Sequence, residues 1–403
     1  MRRVRADFMG SKPCILIIVE NLPVPPDRRV WQEACALRDA GYEVVVICPR
    51  MRGCHEPYEL VEGIHIYRHW ISEEAKGIVG FISEYASALI GEFLLALKVW
   101  WRHRFEVVHL CNPPDLLFAV ALPFKLLCLS RVIYDVHDLW PEMFEAKFHR
   151  RGLLYWGVRV AEWLTYRTAD VVLATNESVR AVAETRGGKN SEDVYVVRTA
   201  PKIVAAEAQT DLSLRRGKRF LVGYIGVMGN ADGVSLLLDA IHHLTAMKGR
   251  ADVQFLLMGT GPEFDALLDQ RRRLGLEDCV EMPGRVSDEF LFSALKTMDL
   301  GVSSDPQNGY NDHCTMNKVL EYMAFGKAQV MFDLAEGRAS AGDAASYISG
   351  NDPEKLGEAI GELLDDPKRL ERMGRHGQLR LKNELNWERS VDHLLKAYCA
   401  VLR

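Results

Sequence analysis

Short apolar runs recur along the whole chain, separated by stretches whose apolar residues fall at helical spacing. Runs at 14–20, 42–49, 63–70, 105–112, 131–137, 170–176 and 194–199 predict strands in the first half. Amphipathic stretches at 28–40, 115–129 and 153–168 predict helices between them, and Asn176-Glu-Ser-Val opens another with an N-capping side chain. Residues 201–218 break the rhythm, hold few large apolar side chains and run into Arg215-Arg-Gly-Lys-Arg219, the best domain boundary. Strand-like runs resume at 220–226, 252–259, 279–283, 300–304, 328–333 and 346–348. The final stretch reads as helices, punctuated by Asp365-Asp-Pro-Lys, with Trp387 near the start of the last. Strands alternating with helices indicate the α/β class with parallel sheets. The expected domains are 1–205 and 206–385, with 386–403 a helix packing back on the first.

One run tests that assignment. Residues 77–101 approach the length needed to span a bilayer. On a helical wheel, Glu84, Ser87, Gly91, Glu92 and Lys98 share one arc, and a polar stripe with two carboxylates suits a helix packed on a domain. The apolar run behind Arg2, Arg3 and Arg5 is too short for a signal peptide and reads as the first strand.

Composition changes the picture little. The 403 residues suffice for two cores, and 48% hydrophobic with 26% charged residues excludes disorder. Residues 1–205 hold 26 Lys/Arg against 25 Asp/Glu, so even the less acidic half is not basic enough for nucleic acid. Nine cysteines without a CxxC pair, mostly in apolar runs, argue against zinc and for buried, reduced thiols of a cytosolic protein.

Ligands of parallel α/β sheets bind beyond the carboxyl ends of the strands, so four loops there carry the candidate chemistry. After the first strand, Asn21-Leu-Pro-Val-Pro-Pro-Asp-Arg-Arg-Val30 offers Asp27 as a helix cap and projects Arg28 and Arg29 from the first turn, where cations favour an anionic partner. In Tyr134-Asp-Val-His-Asp-Leu-Trp-Pro-Glu142 a strand ends in His137 and Asp138, and Pro141 opposes regular continuation. Gly226-Val-Met-Gly229-Asn230-Ala-Asp-Gly233 lets backbone approach a ligand ahead of a helix N-terminus. The segment 313–327 offers Thr315, Asn317 and Lys318 as donors and Glu321 as a carboxylate for sugar hydroxyls, the pattern of a nucleotide-sugar site. Dinucleotide, Walker A, DxD and GxSxG motifs are absent, and no His/Cys group has metal spacing. Two clusters, Trp100-Trp-Arg-His-Arg104 and His149, Arg150, Arg151, Tyr155, Trp156, Arg159, Trp163 and Arg167, interleave aromatics with cations in the manner of a membrane contact.

As a set, Pro-Pro-Asp-Arg-Arg-Val-Trp-Gln-Glu-Ala (25–34), Asn112-Pro-Pro-Asp, the His137 segment, Met258-Gly-Thr-Gly-Pro, Pro283-Gly-Arg-Val, the 317–327 stretch and Phe332-Asp-Leu-Ala-Glu-Gly-Arg resemble a family 4 glycosyltransferase of GT-B fold. The resemblance covers nearly the whole chain and implies two Rossmann-like domains facing a central cleft. It implies a retaining, metal-independent transferase that uses a nucleotide-sugar, a UDP-sugar ahead of a GDP-sugar, and no cofactor. The acceptor would be a glycan or lipid-linked, in surface or exopolysaccharide biosynthesis, and the location cytoplasmic with contact to the inner face of the membrane. By position, Glu321 corresponds to the family's ribose-binding acid and His137 to the histidine near the transferred sugar. Gly226, Gly229 and Asn230 correspond to the diphosphate loop, and Arg285 and Val286 to the base site. Asp27, Arg28, Arg29, Asn112 and Asp138 fall on the acceptor side. Three positions depart from the family: His313 stands where it has a first glutamate, no Arg/Lys pair follows the Gly226 strand, and Pro-Val-Pro-Pro replaces a glycine pair. Lys318, with Arg28 or Arg29, is therefore expected to supply the missing positive charge. The alternatives are a nucleotide-sugar 2-epimerase of the same fold and a non-catalytic nucleotide-sugar-binding partner.

Overall fold

The computed structural model describes residues 13–51, 53–70, 77–148, 151–200 and 208–403, with side chains from 85 onward in the helix that starts at Gly77. The chain forms two compact units, Met1–Thr199 with Glu388–Arg403, and Ala200–Trp387.

In the first unit β1 (Cys14–Val19), β2 (Glu43–Pro49), β3 (Tyr58–Val61), β4 (Ile64–His69), β5 (Val107–Cys111), β6 (Arg131–Val136), β7 (Val171–Ala174) and β8 (Val194–Val196) form one sheet. Its order is β3-β4-β2-β1-β5-β6-β7-β8, parallel except for the β3–β4 pair. Every residue of β1 is buried, because helices cover both faces of such a sheet, and its sequence is accordingly apolar without alternation. The helices are α1 (Arg28–Asp39), α2 (Gly77–His103), α3 (Phe118–Cys128), α4 (Trp140–Phe148), α5 (Leu153–Thr168) and α6 (Glu177–Thr185). Asp27 caps α1 by accepting from the Val30 amide, and Asn176 caps α6 in the same way at Val179.

The second unit stacks β9 (Phe220–Ile225), β10 (Val253–Met258), β11 (Val280–Gly284), β12 (Leu300–Ser303), β13 (Ala328–Phe332) and β14 (Ala345–Ile348) in the order β11-β10-β9-β12-β13-β14. Its helices are α7 (Val234–His242), α8 (Phe264–Arg273), α9 (Asp288–Thr297), α10 (Asn317–Ala324), α11 (Ala335–Ala341), α12 (Pro353–Leu364) and α13 (Pro367–Asn383). Successive β9 residues feed opposite cores: Phe220, Val222 and Tyr224 join α7 and α12, while Leu221 and Ile225 join α9 and α10. The last helix, α14 (Trp387–Leu402), belongs almost wholly to the first unit. There Tyr398 is fully buried, its hydroxyl 2.7 Å from Nδ1 of His109, and His393 meets the Val196 carbonyl.

Several elements differ from the sequence reading. β3 is a four-residue edge strand with half its residues exposed, too short and too polar to stand out. Pro141 does not oppose a helix but occupies the first turn of α4, where a missing N–H costs nothing. The polar stripe of α2 is split between solvent and core, with Lys98 exposed. Glu92 is fully buried, with Oε1 3.6 Å from Nε2 of His69, and burial raises its carboxyl above the ordinary range despite that histidine. Most of the outward row is apolar, including Ile90, Leu94 and Trp101. Glu84's side chain, His149 and Arg150 lie outside the described residues. Of the nine cysteines, joined by no disulfide, only Cys14, Cys48 and Cys111 are buried. No helix among the described residues is long and apolar enough to cross a membrane.

Candidate functional site

Each sheet has a point where strand order reverses: β1 beside β5 in the first, β9 beside β12 in the second. Loops leaving adjacent strands diverge there and leave a crevice for ligand.

In the second unit the loops beyond β9, β10 and β12 interlock through glycines. Gly226 donates to the Met258 carbonyl, Met228 to Thr260 and Glu263 to Met228. A β-carbon on Gly259, which has φ +144°, would stand 1.8 Å from the Gly226 carbonyl oxygen. One on Gly233, at φ +62°, would stand 2.0 Å from the Ser304 carbonyl oxygen. These two glycines are required by contact and conformation together. The result is a compact turn ending at the α7 N-terminus, with Gly229 half-buried, its amide bonded to Asp232, and Asn230 exposed.

α10 is fixed to the same point by Tyr322, whose hydroxyl donates to the Val302 carbonyl at 3.0 Å and accepts from the Ile225 amide at 3.2 Å. Glu321, one residue earlier, is half-buried; Asn317 is exposed at the helix start. Thr315 donates to Glu336, a fully buried carboxylate on α11 that also accepts from Ser340. Val286 packs into the core beside α9, while Arg285 is exposed.

Lys318 departs most from expectation. Its ammonium is buried and donates to both oxygens of Asp305, at 2.8 and 2.9 Å. It also lies 4.8 Å from the centre of the Tyr224 ring. Burial works against its charge, but Asp305 outweighs burial and holds the lysine protonated well above the ordinary range. A β-carbon on Gly226 would come within 3.3 Å of Lys318 Cε, so the side chain underlies the loop. The cation the sequence assigns to a diphosphate is here balanced by a carboxylate.

In the first unit Asn112, buried at the end of β5, organises the turn after β6. Its Oδ1 accepts from the amides of His137 (2.7 Å) and Asp138 (3.3 Å), and its Nδ2 reaches Asp115 (2.8 Å) and the Asp138 carbonyl (2.7 Å). Tyr134 donates to Asp115, yet burial pushes that carboxyl up to about 6. His137 Nε2 stands 2.6 Å from Oδ2 of Asp135. Burial opposes the imidazolium, but the charge and hydrogen bond of Asp135 prevail, so the His137 pKa is raised.

Arg29 does not project toward a ligand. Its guanidinium is buried, forks onto both Asp135 oxygens at 2.6 and 3.0 Å, and donates to the Val197 carbonyl at 2.7 Å. Burial opposes ionisation of Asp135, but Arg29 and then His137 hold its carboxyl well below the usual range. Glu33, fully buried 3.1 Å from Arg29, is pushed upward by the same burial. Arg28 is exposed and Asp27 is used as the α1 cap. Sequence reasoning missed Asp135, although residues two apart share one face of a strand and Asp135 is the acid on the His137 side. His109 and Tyr398, which continue this network, had no local signal.

Packing also assembles groups that sequence spacing could not show. Among the described residues, Glu43, His65 and His103 bring donor atoms within 4.8 Å of one another, as do His109, Cys111 and Asp135. The first set is already hydrogen-bonded, His103 to Glu43 and His65 to Tyr58, and in the second Asp135 is bound to the Arg29 guanidinium.

Residues 26–198 match the glycosyl transferase 4-like domain, and residues 219–366 match glycosyl transferases group 1. No curated protein matches the sequence. Among solved structures, a sucrose-phosphate synthase from Thermosynechococcus elongatus is similar with TM-score 0.79 and 15% identity, over 97% of this chain and 99% of that one. HepE of Anabaena, solved in complex with UDP, gives TM-score 0.72 and 17% identity over 96% of this chain and 100% of its own. The trehalose-6-phosphate structure from E. coli, bound with UDP-2-fluoro glucose, gives 0.72 and 11% over 96% and 98%. The chain belongs to the GT-B glycosyltransferases, a glycosyl transferase 4-like domain followed by a group 1 domain.

Proposed function

We propose that this protein is a retaining, metal-independent glycosyltransferase that moves a sugar from a UDP-sugar to a glycan or lipid-linked acceptor in surface polysaccharide assembly, working at the cytoplasmic face of a membrane. The observation that carries the reading is the interlocked turn at the β9/β12 reversal. It sets backbone amides at the α7 N-terminus beside α10, which carries Glu321 and is fixed by Tyr322. Amides at a helix N-terminus suit a diphosphate, and a carboxylate suits ribose hydroxyls. HepE holding UDP and UDP-glucose supports a uridine donor.

In this reading Glu321 accepts from the ribose, the Gly226–Gly233 turn with Thr315 and Asn317 holds the diphosphate, and Arg285 and Val286 border the base. His137, an imidazolium oriented by Asp135, gives a donor to the reacting sugar. The bond from the anomeric carbon to the diphosphate oxygen breaks as the acceptor oxygen bonds on the same face. The acceptor proton passes to the departing diphosphate, whose charge the amides stabilise in the transition state. Lys318 acts through the turn it supports, with its charge shared with Asp305.

Incubation with UDP-sugars, with and without acceptor lipids, tests this. UDP release that vanishes in Glu321→Ala is expected. Epimerised donor without UDP release would identify a 2-epimerase, and UDP binding without turnover a non-catalytic binder; either result removes the proposal.

A further inference from the structure

α2 packs on α3 and α3 on α5, so these helices form one layer over one side of the first sheet. Their outward positions are mostly apolar. On α2, Ile90, Leu94 and Trp101 are between 59 and 69% exposed. Leu126 and Leu127 of α3 follow, and on α5 Leu153, Trp156, Val160 and Trp163 stand out. Soluble proteins rarely leave so many large apolar side chains together in water without a partner.

The charge pattern identifies that partner. Among the described residues of these helices, from 85 on α2 onward, the only carboxylates are Glu92 and Glu162, and both are buried. The exposed charges on these helices are Lys98, Arg102 and Arg167, all cationic. Arg104, just past α2, stacks 4.1 Å from the Trp100 ring, and Arg167 lies 5.8 Å from Trp163. Aromatic bodies tipped with cations suit the boundary between acyl chains and anionic headgroups. A second copy does not suit the face, since a two-fold contact would set cations against cations with no exposed carboxylate on the described residues of the three helices to answer them.

We infer that the α2–α3–α5 face docks flat on an anionic lipid bilayer, its leucines and tryptophans entering the headgroup boundary and its cations pairing with lipid phosphates. The apolar layer reaches the acceptor-side loops: Trp140, three residues after His137, packs on Val158 and Ala161 of α5 with Leu116 and Phe144. A lipid-linked acceptor lying in the bilayer would thus be presented beside the Asn112 and His137 turns, a corollary that rests on the transferase reading, whereas the docking does not. The face shares Trp101, Arg102, Arg104, Trp156, Trp163 and Arg167 with the aromatic-basic clusters read in the sequence, but not Tyr155, which is buried, or His103, which is bonded to Glu43.

Flotation of the full chain with phosphatidylcholine vesicles, with and without phosphatidylglycerol, tests the assignment. The protein should float with the anionic vesicles and weaken as salt rises. Each basic side chain near such a surface is worth about fivefold, so Arg102→Ala with Arg167→Ala should weaken anionic binding about 25-fold. Leu127→Glu with Trp156→Glu, both at exposed positions, should abolish flotation while circular dichroism and UDP affinity stay unchanged. Failure of the wild type to float would overturn the inference, as would flotation indifferent to the glutamates. A dimer in sedimentation that the glutamates dissolve would also overturn it, making the face a protein interface. Flotation without any UDP binding would leave the docking intact and remove the transferase reading instead.

Discussion

Replacing Lys318 by Met removes an ammonium 2.8 and 2.9 Å from the two oxygens of Asp305, both groups being almost wholly buried. Removing one member of a buried pair leaves the other charged without compensation and costs about 3–5 kcal/mol. For a domain the size of the second unit each kcal/mol moves the melting temperature by roughly 2–4 °C, so a fall on the order of 10 °C is expected. Asp305→Asn should cost a similar amount, because it strands the lysine. The double variant removes both charges, and a neutral pair of similar volume commonly recovers most of the loss. Thermal unfolding and UDP titration calorimetry across the four proteins then separate two roles. If Lys318 acts by supporting the Gly226 turn, stability and UDP affinity return together in the double variant. A cation in direct contact with the diphosphate would contribute roughly 1.5–3 kcal/mol of charge-assisted hydrogen bonding, about 10- to 150-fold in affinity. A double variant that regains its fold while UDP affinity stays depressed by that factor refutes the supporting role.

His137 should titrate above its ordinary value near 6.5, since Asp135 outweighs burial. Its imidazolium then contributes stability that is complete below about pH 6.5 and lost as pH rises through the folded-state value. Transfer should decline over that same alkaline limb, and His137→Asn should be slow and flat there; an NMR midpoint at or below 6.5 contradicts the assignment. Gly259→Ala should destabilise the second unit by about 2–4 kcal/mol, from positive φ plus collision with the Gly226 carbonyl. Chemical denaturation would show it, and UDP affinity should fall with it; a loss within 0.5 kcal/mol, typical of an unremarked surface change, would mean the loops can separate.

The local sequence carried much of the architecture. Most strands are buried along nearly their whole length and are accordingly rich in apolar residues, so thirteen of them stood out, whereas β3, half-exposed at an edge, did not. Asp27 and Asn176 were legible as caps because the cap and the amide it satisfies lie three residues apart. The glycines of the Gly226 and Gly259 loops were visible as letters, but not as one contact.

Charge was where local reading fell short. Arg29, a first-turn cation, is held by Asp135, 106 residues on, and Lys318 by Asp305 across a loop. His109 meets Tyr398 of the last helix, 289 residues away. The sequence by itself determined most of the strands and helices and the residue types that stand near their ends, since these follow from backbone geometry and nearest neighbours. Only the tertiary structure decided which charges are spent on one another and which apolar helix faces remain uncovered. A Coulomb partner or a covering side chain is set by distance in space, and strand order at the two reversals brings distant segments within that distance.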